Sequence, residues 1–113
     1  MLVPSGQVRL GIIGCGGFTQ HMHAPNLARN PRFKVAAACD LDIAAAERVQ
    51  QLTGARYVTT GVGVVFDDDN IDAVLIATRH NSHARLCLQA AAAGKHILCE
   101  KPMGLTLDEC RRV

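Results

Sequence analysis

Residues 73–77, Ala-Val-Leu-Ile-Ala, form an unbroken apolar run between Asp72 and Thr78. A strand with one wet face alternates apolar and polar side chains. A short continuous run bounded by polar residues is instead a strand covered on both faces, which requires helices above and below a parallel sheet. The rest of the chain follows from that requirement. Val8 to Ile13 reads as a first strand ending at Gly14, with Gly14 expected at the start of a helix. Residues 18–30 read as that helix, with Pro25 expected to kink or restart it, because proline lacks the N–H of a helix interior.

Residues 33–40 read as the second strand and 41–54 as a helix closed by Gly54. A short third strand at 55–60 leads to one weak helical turn and an acidic loop at 61–70. The apolar run follows, then a helix at 82–94 with Leu86, Ala90 and Ala93 at helical spacing, and a strand at 95–100. A last helix opens at 105, where Thr106 and Glu109 are placed as a capping box. Strands are expected near 8–13, 34–39, 73–77 and 96–99. The alternation predicts an α/β fold with a doubly wound parallel sheet.

Composition agrees. The 113 residues are one domain's worth, 49% apolar and 19% charged, with three Phe, one Tyr and no Trp. Small aliphatic side chains of this kind suit helices packed on a parallel sheet. A net charge of +2 without a dense basic run, together with few aromatics, gives no support to nucleic-acid binding. No charged leader precedes an apolar core and no stretch is long enough to span a bilayer, so a soluble cytoplasmic protein without membrane partners is expected. Residues 1–7 read as a leader and 8–113 as the domain. The last helix stops after barely two turns, so the domain is expected to be incomplete at its C-terminal end. Five cysteines form no C-x-x-C pair and read as buried thiols. His21 and His23 would face different sides of a helix, and His80 and His83 lack further ligands at zinc spacing, so no metal is expected.

In an open parallel sheet, ligands bind beyond the carboxyl ends of the strands. Chemistry collects at four such ends here: Gly14-Cys15-Gly16-Gly17, Asp40, Thr78-Arg79-His80 and Glu100-Lys101-Pro102. Gly14 permits a tight turn, and Gly16 lets the backbone approach a pyrophosphate without a Cβ. Asp40 follows Gly14 by 26 positions and can accept hydrogen bonds from both hydroxyls of an adenosine ribose. Its alternative role is a helix N-cap, and Asp42 competes for either job. No arginine follows directly, which favours NAD over NADP. The last member of the glycine fingerprint, usually Gly or Ala, is Thr19. Its branch should loosen the helix–strand contact slightly, while its hydroxyl could reach a phosphate.

The segments GIIGCGGFTQHMHAPNL, AAACDLD and DAVLIATRHNSHARLCLQAAAAGKHILCEKPMGLT together resemble the N-terminal domain of the Gfo/Idh/MocA oxidoreductases, and AGKHILCEKPM is the most specific part. The resemblance implies a Rossmann domain followed by a larger α/β domain. That second domain carries much of the substrate pocket, a further acid–base residue and the contacts of a homo-oligomer. It implies a cofactor site built from Gly14, Cys15, Gly16, Gly17, Phe18, Thr19, Asp40, Thr78, Arg79, His80, His83, Glu100, Lys101 and Pro102. In that site Thr78, His80 and His83 line the nicotinamide half, and Lys101 is catalytic, hydrogen-bonded to the reacting oxygen of a small-molecule substrate. Arg79-His80 departs from the Pro-Asn often found in the family. The lysine also makes sense unaided, since oxidising an alcohol removes a proton as hydride leaves. A surface lysine is its bland alternative. An NAD(P)-dependent oxidoreductase acting on a sugar, polyol or related hydroxy compound is therefore expected, with the 113 residues alone binding cofactor without turnover. An NAD-sensing domain and a methyltransferase are the competing readings, and the latter gives no reason for Glu-Lys-Pro.

Overall fold

In the computed structural model five parallel strands lie in the order β3-β2-β1-β4-β5. The structure describes residues 7–17, 19–78 and 80–99, except for the side chains of 80–83 and 99. Phe18, Arg79, Glu100, Lys101, Pro102, most of the leader and the expected last helix lie outside the described residues. The strands are β1 (Val8–Ile13), β2 (Phe33–Cys39), β3 (Tyr57–Thr59), β4 (Ala73–Ile76) and β5 (His96–Cys99). Between them run α1 (Ala24–Ala28), α2 (Ile43–Thr53), α3 (Val62–Phe66) and α4 (His80–Ala92). The chain order reverses direction between β1 and β4, which creates a crevice at the carboxyl ends of those two strands.

Alternation along the strands feeds two cores. Leu10 and Ile12 of β1 and Ala73 and Leu75 of β4 join Ala45, Ala46 and Val49 of α2 on one face. Ile13, Val74 and Ile76 join Val65, Phe66, Leu86, Cys87 and Ala90 on the other. β2 departs from strict alternation, because Ala36 and Ala37 both fall on the second face. Its register against β1 slips there: Leu10 pairs with Val35 but Gly11 with Ala37, leaving Ala36 as the extra residue. Two adjacent alanines make such a bulge easy to bury.

The helices begin and end as their sequences dictate, with two differences from expectation. Asp42 caps α2, accepting the Ala44 N–H at 3.0 Å, and Gly54 closes it in the left-handed region at φ 75°. Before α1, residues Thr19–His23 form a π-helical turn, and Pro25 sits in the first turn of α1, where its missing N–H does no harm. The expected break at Pro25 is therefore a change of helix type just before it. Gly14 is not at a helix start; it lies in the turn after β1, and helical geometry begins only after Gly16.

At the amino ends of the strands a polar network ties the sheet together. Arg9 of β1 grips Asp72 with Nε–Oδ2 at 3.0 Å and Nη2–Oδ1 at 2.8 Å, and its backbone N–H donates to Oδ2 at 2.9 Å. Tyr57 donates its hydroxyl to Asp68 at 2.8 Å, and the Lys95 ammonium donates to the carbonyls of Asp68 and Ile71. The Arg9 hydrogen bonds hold the Asp72 carboxyl below the usual carboxylate range against the opposing effect of burial. A carboxylate held low stabilises the fold above its unfolded value of 3.8, and that contribution is lost as pH falls through the folded value. Thermal unfolding between pH 7 and 2 should therefore show wild type more stable than Asp72→Asn at neutral pH, with the gap closing below about pH 4. A gap independent of pH would remove the pair from the acid response.

Candidate functional site

The carboxyl ends of β1, β2 and β4 meet through the backbone. The Gly14 N–H donates to the Cys39 carbonyl at 2.8 Å, the Ala77 N–H to the Ile13 carbonyl at 2.8 Å, and the Asp40 N–H to the Thr59 carbonyl at 3.2 Å. Gly14 adopts φ 102°, and a Cβ built there would lie 2.6 Å from the Ala77 carbonyl carbon and 2.9 Å from the Thr78 nitrogen. Both the conformation and the contact demand glycine. The turn brings the glycine segment, Asp40 and Thr78 to one edge of the sheet, as the strand-end rule requires. α4 begins at His80, four positions after the end of β4, and His83 lies in its first turn.

Gly16 is different. It is exposed, is not among the glycines with positive φ, and a Cβ on it would meet nothing within 4 Å. Neither backbone strain nor internal packing calls for glycine there. The same open space surrounds Gly17. Space kept clear on the outer side of a turn is what a ligand approaching the backbone requires, so the turn fits a pyrophosphate.

Cys15 contributes through its backbone. Its side chain is fully buried, donating weakly to the Cys39 carbonyl at 3.4 Å, and burial with the nearby Asp40 charge pushes the thiol up to about 12. Burial likewise pushes Cys39 up to about 11. Among the described residues no group of three or more His, Cys, Asp or Glu could hold a metal ion. No helix among them is long and apolar enough to cross a membrane.

Asp40 is not the helix cap, since Asp42 takes that role. The Asp40 carboxylate lies half-buried, with Oδ2 accepting the Cys15 N–H at 2.7 Å and Oδ1 accepting the Asp42 N–H at 2.8 Å. Leu41 beside it is 91% exposed. Thr19 corrects the expectation drawn from its hydroxyl. It is buried, and its hydroxyl donates inward to the Gly14 carbonyl at 2.8 Å, so it tightens the turn and does not extend toward a phosphate. Gln20 reinforces it, its Nε2 donating to the Cys15 carbonyl at 2.8 Å. The sequence carries a signal for these two contacts, a side-chain donor five places after Gly14 and after Cys15, and none for the Asp40–Cys15 bond.

Comparison with known proteins agrees with this geometry. Residues 8–113 match the Gfo/Idh/MocA family profile, described as an oxidoreductase family with an NAD-binding Rossmann fold. The inositol 2-dehydrogenase of Rubrobacter xylanophilus is 36% identical over 110 residues, covering 96% of this chain and 31% of that protein. The 3-ketoreductase KijD10 from Actinomadura kijaniata, solved with NADP and TDP-benzene, superposes with a TM-score of 0.86 at 28% identity, covering 94% of this chain and 32% of that one. The myo-inositol 2-dehydrogenase of Lactobacillus plantarum gives 0.80 at 33% identity, covering 91% and 30%. The chain spans about a third of the length of these relatives.

The close approach at Gly14 sets a stability prediction. Gly14→Ala must relieve both a left-handed strain and a backbone clash, so it should destabilise the fold by at least about 2 kcal/mol in urea titration. A change below about 0.5 kcal/mol would show that the turn relaxes freely.

Proposed function

The chain belongs to the Gfo/Idh/MocA oxidoreductase family, and from that membership we propose that it holds a nicotinamide dinucleotide across the ends of β1, β2 and β4 for hydride exchange with a sugar, polyol or related hydroxy compound. The observation that carries this reading is the glycine turn held against Asp40 at the carboxyl ends of β1 and β2, with open space beside the exposed Gly16 for a pyrophosphate to enter. Gly14 shapes the turn, and the Cys15 N–H is committed to Asp40, so the amides left for phosphate begin at Gly16. The Asp40 carboxylate accepts the adenosine ribose hydroxyls. Thr78, His80 and His83 line the nicotinamide half, and the family resemblance adds Phe18 and Arg79 to the cofactor site.

NAD is the preferred form in this reading. A carboxylate at Asp40 repels a 2′-phosphate, and the neighbouring Leu41 offers no guanidinium to pair with one. KijD10, of similar fold, was solved with NADP, so the preference rests on these two side chains and not on the fold.

A bound nicotinamide supplies the hydride acceptor. This chain's part is to fix the dinucleotide and to handle the proton. Lys101 takes the proton from the substrate hydroxyl as hydride departs. Substrate recognition is the task of the remainder of the protein, and the 113 residues by themselves bind nucleotide without turning substrate over.

Two measurements test this reading. Gly16→Ala should leave stability within about 0.5 kcal/mol of wild type, because its Cβ enters open space. It should weaken NADH binding by about tenfold or more, read by fluorescence titration, because that space is the ligand's. Equal affinity would leave Gly16 without a ligand to explain it. In the whole protein, Lys101→Ala should lower kcat by about 10²–10⁴ with little change in NAD affinity. A wild-type kcat with chemistry rate-limiting would make Lys101 structural.

A further inference from the structure

The peptide group joining Gly14 to Cys15 is held at both ends by side chains. Its carbonyl accepts the Thr19 hydroxyl at 2.8 Å, and its N–H donates to Asp40 Oδ2 at 2.7 Å. The next carbonyl, that of Cys15, accepts Gln20 Nε2 at 2.8 Å. Asp40 is anchored in turn, with Oδ1 accepting the Asp42 N–H at 2.8 Å and its own N–H donating to Thr59. The glycine turn is therefore clamped from β2 before any ligand arrives.

We propose that Asp40 is a positioning residue for the glycine turn in addition to its ribose role, so that removing it weakens phosphate-bearing nucleotides whether or not they carry ribose hydroxyls. The inference rests on the dinucleotide reading above. A turn of glycines samples many backbone states, and a peptide plane pinned at one end alone can rotate. Pinning both ends selects one orientation and lowers the entropic cost of ordering the turn around a ligand. The two roles do not compete, because an ionised carboxylate offers about four lone-pair sites and the two internal N–H groups use two. Asparagine cannot substitute. It has one carbonyl oxygen and an amide NH₂, so it satisfies one of the two N–H donors and opposes the other. A consequence follows for cofactor choice: exchanging Asp40 to admit a 2′-phosphate also loosens the turn that holds the pyrophosphate.

The test uses 2′,3′-dideoxy-ADP, which lacks the hydroxyls Asp40 would bind, displacing NADH from wild type and Asp40→Ala, a variant with no acceptor left for the Cys15 N–H. It is paired with amide hydrogen exchange in the ligand-free protein. In the variant, 2′,3′-dideoxy-ADP should bind about tenfold more weakly, and the Cys15 amide should exchange about tenfold or more faster. The Gly14 amide, bonded to Cys39, should be unchanged. Equal affinity of the two proteins for 2′,3′-dideoxy-ADP, or an unchanged Cys15 amide, overturns the proposal. Thr19→Val removes the other anchor of the same peptide and touches no ribose contact. It should weaken 2′,3′-dideoxy-ADP in the same direction, and it decides the matter if Asp40→Ala fails to fold. If wild type bound neither NADH nor 2′,3′-dideoxy-ADP, the dinucleotide reading would fall, and the clamp would be judged on the Cys15 amide alone.

Discussion

The backbone of Gly14 runs so close to that of Ala77 that no side chain fits between them. This contact fixes how the ends of β1 and β4 meet, and the other features of the carboxyl edge are built outward from it. The Ile13 carbonyl can accept the Ala77 N–H, and the Gly14 N–H can reach Cys39, because the turn is this tight. Asp40 is then delivered to the Cys15 amide by the strand that Gly14 is bonded to. A larger residue at 14 would part β1 from β4 where the topology opens a crevice, and the chemistry of three strand ends would no longer converge.

The side-chain ties and the candidate ligand site occupy opposite ends of the same sheet. The amino edge carries the Arg9–Asp72 grip, the Tyr57–Asp68 bond and the Lys95 ammonium on two carbonyls. Those groups satisfy one another. The carboxyl edge carries glycines with empty space beside them and a carboxylate with acceptor sites to spare. Polar groups saturated within the protein at one end make a rigid platform, which lets the other end keep its polar groups available. Substitutions at Asp72 and at Gly16 should accordingly act on different observables.

The sequence disclosed what depends on local pattern. Continuous burial of Ala73–Ile76 announced a strand covered on both faces, and the strand-end pattern pointed to the glycine turn and Asp40, which the structure brings within 2.7 Å of each other. Contacts spanning many residues were not legible. Arg9 and Asp72 lie 63 positions apart, and nothing in either neighbourhood names the other. The bulge at Ala36 was hidden because three successive alanines carry no periodicity to interrupt. The contest between Asp40 and Asp42 for the helix cap turned on where β2 ends, a boundary that pattern alone leaves loose by a residue or two. Lys101 and its neighbours lie outside the described residues, so their part in the site rests on the family resemblance and on the chemistry of alcohol oxidation.

Thr19 shows how an altered fingerprint can still serve. A small residue at this place normally lets the helix lie close to the strand. A branched side chain needs more room, and here the chain takes a π-helical turn, wider than an α-turn, over Thr19–His23. The added width places the side chains of Thr19 and Gln20 over the carbonyls five residues back, those of Gly14 and Cys15. The extra bulk thus returns as two hydrogen bonds on the turn itself. On this account the threonine and the π-turn are one adaptation. Restoring alanine at 19 would remove an anchor without restoring the closer packing, unless the helix also rewound.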